Sequence, residues 1–116
     1  MRFRKTAVSL AAIGALAVSA PAALAGENER IDGKYGYVTF EHHGEVIEAA
    51  DIYKDGYGVR AYLKWDGGSE YVTNPGKLYP VPKNLKIAEN KEVYLRMCYT
   101  QNLKPFNCSD WQRAVA

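Results

Sequence analysis

The stretch Val59-Arg60-Ala61-Tyr62-Leu63-Lys64-Trp65, then Asp66-Gly67-Gly68, then Ser69-Glu70-Tyr71-Val72-Thr73, decides the fold. Side chains of a strand point alternately to opposite faces. Val59, Ala61, Leu63 and Trp65 therefore share one face, and Arg60, Tyr62 and Lys64 the other. Asp-Gly-Gly is a tight hairpin signal, because glycine accepts positive φ without a Cβ clash. On the return run, Val72 points inward and Tyr71 outward.

Similar short runs recur outward in both directions. Residues 35–41 alternate, with Val38 and Phe40 on one face, and His43-Gly44 turns the chain into a run over 46–53. Lys54-Asp55-Gly56 is another turn. Pro75, Gly76, Pro80 and Pro82 predict a loop that no central strand could contain, since proline cannot donate to a ladder. A short strand is predicted over 85–88. Asn90-Lys91 then leads into 93–100, where Val93, Leu95, Met97 and Tyr99 alternate with Tyr94, Arg96 and Cys98. In the last run, 111–116, Trp111, Arg113 and Val115 share parity, so the pattern does not choose a buried face. The expectation is all-β: a small immunoglobulin- or fibronectin-like sandwich of about seven strands. A small barrel is the alternative.

Residues 1–25 have the form of an export signal. Arg2, Arg4 and Lys5 precede an apolar run from Ala7 to Ala20, Pro21 breaks it, and Ala23-Leu24-Ala25 offers small residues for cleavage. The run is shorter than the ~20 residues of a permanent span. The residue directly after the cleavage point is Gly26, not the cysteine that lipid anchoring needs, and no apolar stretch closes the chain. The expected product is secreted, with no membrane partner after cleavage. Residues 26–34 are polar and glycine-punctuated and predict a flexible leader, and 35–116 the sandwich.

The chain carries 15 Lys+Arg against 13 Asp+Glu, but three of the basic residues belong to the signal. The remainder is slightly acidic, so nothing draws it to phosphate backbones and nucleic acid is not an expected partner. Cys98 and Cys108, in an oxidising compartment, are expected to pair.

Three segments carry a resemblance: Asp51-x3-Asp55-Gly56-x-Gly58-Val59, Val93-x-Leu95-Arg96-x-Cys98, and Cys108-Ser109-x-Trp111 with a closing alanine. They resemble small exported proteins of filamentous actinobacteria. The resemblance implies a β-sandwich and export rather than a chemistry. Small secreted α-amylase inhibitors of the same bacteria are similar in size and β content. They carry two disulfides and a Trp-Arg-Tyr tripeptide, whereas here there is one cysteine pair and Trp65 precedes Asp66-Gly67.

No catalytic constellation stands out, and the expectation is not an enzyme, with no cofactor and no metal. His42 and His43, read as strand neighbours, point to opposite faces and make no cluster. The carboxylates Glu41, Glu45, Glu48, Asp51, Asp55 and Asp66 have no evident cleft across which to pair. Asp51, Asp55 and Gly56 mimic the start of a calcium loop, but Tyr53 and Tyr62 occupy positions where ligands belong. The functional signal is aromatic. Arg60, Tyr62, Lys64, Tyr71, Tyr94 and Arg96 fall outward on neighbouring strands and predict one exposed aromatic and cationic platform. The expected function is binding of an extracellular protein or cell-surface glycan. Alternatives are inhibition of an extracellular hydrolase, through residues 73–82 or 100–107, and carbohydrate binding through Tyr62, Tyr71 and Tyr94.

Overall fold

A computed structural model describes residues 25–116. The export signal expected over 1–25 lies, apart from Ala25, outside the described residues. Nine strands follow in order: β1 (Glu29–Asp32), β2 (Gly36–Glu41), β3 (Val46–Asp51), β4 (Gly58–Trp65), β5 (Gly68–Asn74), β6 (Val81–Asn84), β7 (Glu92–Gln101), β8 (Lys104–Phe106) and β9 (Gln112–Val115). They form two antiparallel sheets. One has the order β1-β2-β3-β6; the other runs β5-β4-β7, with β8 and β9 both pairing with β7. The chain crosses between the sheets at 52–57, 75–80 and 85–91.

Alternation builds the core. Val59, Ala61 and Leu63 of β4 face inward, beside Val93, Leu95 and Met97 of β7. Leu63 lies opposite Leu95, and Ala61 opposite Met97, so apolar rows continue across strands. The facing sheet contributes Val38, Phe40, Ile47 and Ala49, all fully buried. Each large apolar side chain removed from water contributes roughly 1.5–3 kcal/mol. Trp65, Val72 and Tyr99 pack partly buried against the same cluster. Gly58 is required where β4, β5 and β7 converge. A Cβ there would stand 2.5 Å from both the Asn74 carbonyl oxygen and the Thr100 hydroxyl.

The sandwich is as expected, but the strand count is nine rather than about seven. Residues expected as a flexible leader contain β1, whose Glu29–Asp32 pairs along β2. Glu27 also exchanges two backbone hydrogen bonds with Val115, of 2.9 and 3.3 Å. Only Ile31 of β1 packs against the core, so this polar edge strand leaves little periodic trace in sequence. β8 is three residues long and contains Pro105. β6 covers 81–84 instead of 85–88. It includes Pro82 because it is an edge strand, where a missing N–H is tolerated. Leu85 and Ile87 are nonetheless buried: the apolar alternation marks burial here without a ladder.

The parity conflict at the C-terminal strand resolves in favour of the polar side chains. Ala114 and Ala116 join the core cluster, while Trp111 and Arg113 lie on the outer face. Val115 is buried beside Glu27 but lies outside the core cluster.

Candidate functional site

Two surfaces of the second sheet and its loops gather chemistry-bearing residues. The first is the predicted platform on the outer face of β5-β4-β7. Tyr62 pairs across strands with Tyr71 on one side and Arg96 on the other, and Lys64 with Tyr94. The six residues therefore come together, but not as a uniformly exposed plane. Arg60 is buried. Its Nε donates to Thr73 Oγ1 at 2.7 Å, and its two terminal nitrogens donate to the Tyr62 hydroxyl at 2.8 Å and the Leu103 carbonyl at 3.0 Å. Its guanidinium carbon stands 4.4 Å from the centre of the Tyr71 ring, a cation–π contact strengthened by partial desolvation.

Further along the face, Lys64 and Arg96 both lie over Trp111, at 4.2 and 4.7 Å from the ring centre. Arg96 Nε also donates to the Ser109 carbonyl, and the Tyr94 hydroxyl to Glu92. Arg113 pairs with Glu92 at 2.7 Å, which holds the Glu92 carboxyl below its ordinary pKa. Much of the platform is thus an internally bonded network, while Lys64 and Tyr71 remain exposed and contribute ring contacts only. Trp111 was absent from the expected set because its facing could not be read.

The Cys98–Cys108 disulfide is formed, and is compatible with an extracellular location. Cys98 shares the outward parity of Tyr94 and Arg96 yet is 1% exposed. The segment after β8 crosses the outer face beside it. Ser109 N–H donates to the Met97 carbonyl, and Met97 N–H to the Ser109 hydroxyl.

The second surface is one end of the sandwich, where the connections 33–35, 52–57, 75–80 and 102–103 meet. Five rings form an unbroken series there, Tyr53, Tyr35, Tyr99, Phe106 and Tyr57, with successive centres 5.5, 5.9, 6.2 and 5.4 Å apart, edge-to-face at every step except the tilted Tyr99–Phe106 pair. Such pairs contribute about 0.5–1.5 kcal/mol each beyond burial. Seven large apolar or aromatic side chains are exposed among the described residues. Six of them, Ile52, Tyr53, Tyr57, Leu78, Tyr79 and Leu103, stand on these connections. The seventh is Tyr71.

Two devices hold this end in shape. Asn74, fully buried, donates to the Ala49 and Tyr79 carbonyls and accepts from the Gly76 and Lys77 amides. The β7–β8 hairpin turns on Asn102 and Leu103, with φ of 51° and 66°. Two successive positive φ values are normally met by Asn-Gly. Leucine there is strained, and its side chain is 63% exposed. Sequence reasoning reached this end only through the candidate inhibitor loops 73–82 and 100–107, and did not join them to 33–35 and 52–57, because it treats apolar residues in turns as incidental. The signal was leucine, isoleucine and tyrosine at positions where polar residues and glycine are the rule.

Other expected features fall elsewhere. His42 and His43 lie in a turn rather than on a strand, so alternation does not separate them. Their rings stack at 4.0 Å, correcting the expectation that they point to opposite faces. Asp51 and Asp55 each accept the amide two residues on, at 3.0 Å, as turn-forming carboxylates do. Burial of Asp51 raises its pKa above the ordinary 3.8, with the Asp55 charge adding to the effect. The folded chain therefore holds that proton more firmly than the unfolded one, and stability falls as pH rises through the folded pKa. Asp51→Asn keeps the acceptor for Tyr53 N–H and removes the charge. It is expected to melt above wild type at pH 7, with the gap closing below pH 3.8. Thermal melts at the two pH values check this, and an equal gap at both would contradict it.

No family model, curated protein or solved structure matches the chain. Fold and geometry define it as a two-layer β-sandwich with a bonded aromatic face and an apolar loop end.

Proposed function

We propose that the chain is a secreted, non-enzymatic binding domain whose recognition surface is the loop end, with the platform as its rigid support. The order β2-β3-β6 facing β5-β4-β7-β9 supports an immunoglobulin- or fibronectin-type assignment. Resemblance to exported actinobacterial sandwiches supports secretion. One observation carries the reading: six of the seven exposed large side chains collect on connections at a single end. Exposed apolar side chains gathered at one end are a mark of an interaction site, and loops on a rigid scaffold are where binding concentrates. Leu103 adds weight, because both its backbone strain and its solvated side chain are unfavourable in the free protein.

The test separates binding from folding. Leu103→Gly relieves the left-handed strain, worth about 1 kcal/mol, and removes the apolar tip. The variant is expected to melt at or above the wild-type temperature, yet to retain less of whatever the wild-type domain captures from culture supernatant. Tyr62→Ala with Tyr94→Ala is expected to lower stability more than capture. Undiminished capture by Leu103→Gly combined with Leu78→Ser means the loop end is not the binding surface.

Inhibition of an extracellular hydrolase is the second reading, favoured by the Asn74 clamp on residues 75–80. That clamp pre-organises an exposed Lys77-Leu78-Tyr79 segment and so lowers the entropy lost on binding. Sugar stacking on the platform has less support, since the Arg60 guanidinium stands over Tyr71.

A further inference from the structure

We infer that the loop end docks on an anionic lipid surface. The inference rests on the proposed use of that end for binding and names its partner. Three exposed aliphatic side chains, Ile52, Leu78 and Leu103, project from three separate connections at the same end. Lys34, Lys54, Lys77 and Lys104 are interleaved with them, all exposed. Among the described residues none of these four lysines lies within ion-pair distance of a carboxylate. The acids at this end are Asp55, which accepts the Tyr57 amide, Asp51, which is buried, and Asp32 at the end of β1, which pairs with Arg30 at 2.9 Å.

The opposite end has the other sign. Glu41, Glu45, Asp66 and Glu89 stand there against Lys86 and Lys91. The molecule is therefore polarised along its strands, and a negatively charged plane would orient it loop end first. Tyrosine suits the headgroup level of a bilayer, where one part of the ring is apolar and the other wet. Aliphatic tips suit the acyl boundary below it, and lysines the anionic headgroups. Tips carried on separate loops match a fluid plane that each can enter independently. A protein partner would have to supply a pocket for each. The sequence expectation of no membrane partner concerned an apolar anchor segment, and loop docking requires none.

The experiment is co-sedimentation of the exported protein, its N-terminus verified by mass spectrometry. Vesicles of equal parts phosphatidylglycerol and phosphatidylcholine are compared with vesicles of phosphatidylcholine alone. Binding to the anionic vesicles is expected, at least about tenfold stronger than to the neutral ones and weakened several-fold by 0.5 M salt, as screening requires. Leu78→Ser with Leu103→Gly, and separately Lys54→Gln with Lys77→Gln, are each expected to reduce it about tenfold. Circular dichroism of each variant confirms that it is folded.

Equal partition to both vesicle types, or none, overturns the lipid assignment. So does anionic binding that survives the loop-end variants. If vesicle binding fails while those variants still lose capture of a protein, the partner is proteinaceous and the reading of the loop end as a binding surface stands. If sedimentation velocity shows salt-sensitive self-association that the same variants abolish, the acidic end of a second copy is the partner and the lipid assignment falls. If neither vesicles, protein nor a second copy responds to the loop-end variants, both readings fall.

Discussion

Asn74→Ala is expected to destabilise the domain by about 3 kcal/mol, a large effect for a change that deletes only an amide group. The side chain is fully buried and uses its whole hydrogen-bonding capacity. Nδ2 donates to the Ala49 carbonyl at 3.2 Å and the Tyr79 carbonyl at 2.9 Å, and Oδ1 accepts from the Gly76 and Lys77 amides at 3.0 and 2.7 Å. Each such bond is worth about 1 kcal/mol net, and loss of a partner for the Ala49 carbonyl adds a desolvation penalty. The four bonds also join three parts of the molecule: β5 in one sheet, β3 in the other, and the loop 75–80 between them. The variant should show faster hydrogen exchange at Gly76 and Lys77 as well as a lower urea midpoint. Asn74→Asp is the sharper control. It keeps the acceptor but presents a carboxylate to two carbonyls, so its folded pKa rises and its deficit should shrink as pH falls through that value. A loss below about 0.5 kcal/mol for the alanine variant would mean that solvent replaces these bonds at little cost.

Much of the architecture was legible because burial on one face writes a period of two. β4 shows it most clearly: Val59, Ala61 and Leu63 read as inward and are inward, and Arg60, Tyr62 and Lys64 lie on the other face. The same period located β2, β3, β5 and β7. It failed where a strand touches the core through one residue, as β1 does through Ile31, and where proline sits at an edge, as in β6 and β8. It also misled at 85–88, where Leu85 and Ile87 are buried without a ladder, and at His42-His43, where a turn replaces alternation. The platform was legible as a set of neighbours, since cross-strand pairing follows from the hairpin register. Its degree of exposure was not. Whether Arg60 projects into water or folds back onto Thr73, Tyr62 and Leu103 depends on a carbonyl 43 residues away in sequence, and no local pattern encodes that contact. The loop end was legible only as two separate candidate loops, 73–82 and 100–107, for a related reason. Its side chains belong to four connections and to the strands β7 and β8, and only the closed topology brings Tyr53, Tyr35, Tyr99, Phe106 and Tyr57 into one series.

Removing the disulfide, by Cys98→Ala with Cys108→Ala, is expected to lower stability by about 3 kcal/mol. The bond spans a sequence separation of 10, and closing so short a loop in the unfolded chain removes entropy of that order. A domain of this size has a total stability of roughly 5–14 kcal/mol, so the bridge supplies a substantial fraction. The melting temperature should fall by about 15 °C. The fold itself should persist, because the strap from β8 to β9 has other attachments. Ser109 keeps its paired bonds with Met97, at 2.8 and 3.0 Å, and accepts from Arg96 at 2.9 Å. Trp111 remains under Lys64 and Arg96, and Ala114 and Ala116 remain in the core. The expected result is therefore a cooperative transition at lower denaturant with unchanged β signal and near-native tryptophan emission. A sequential loss, tryptophan emission shifting before the β signal melts, would show that the bridge rather than Ser109 and Trp111 holds the strap on the sheet. A midpoint unchanged to within a few tenths of a kcal/mol would show that these contacts already restrict the unfolded chain as much as the covalent bond does.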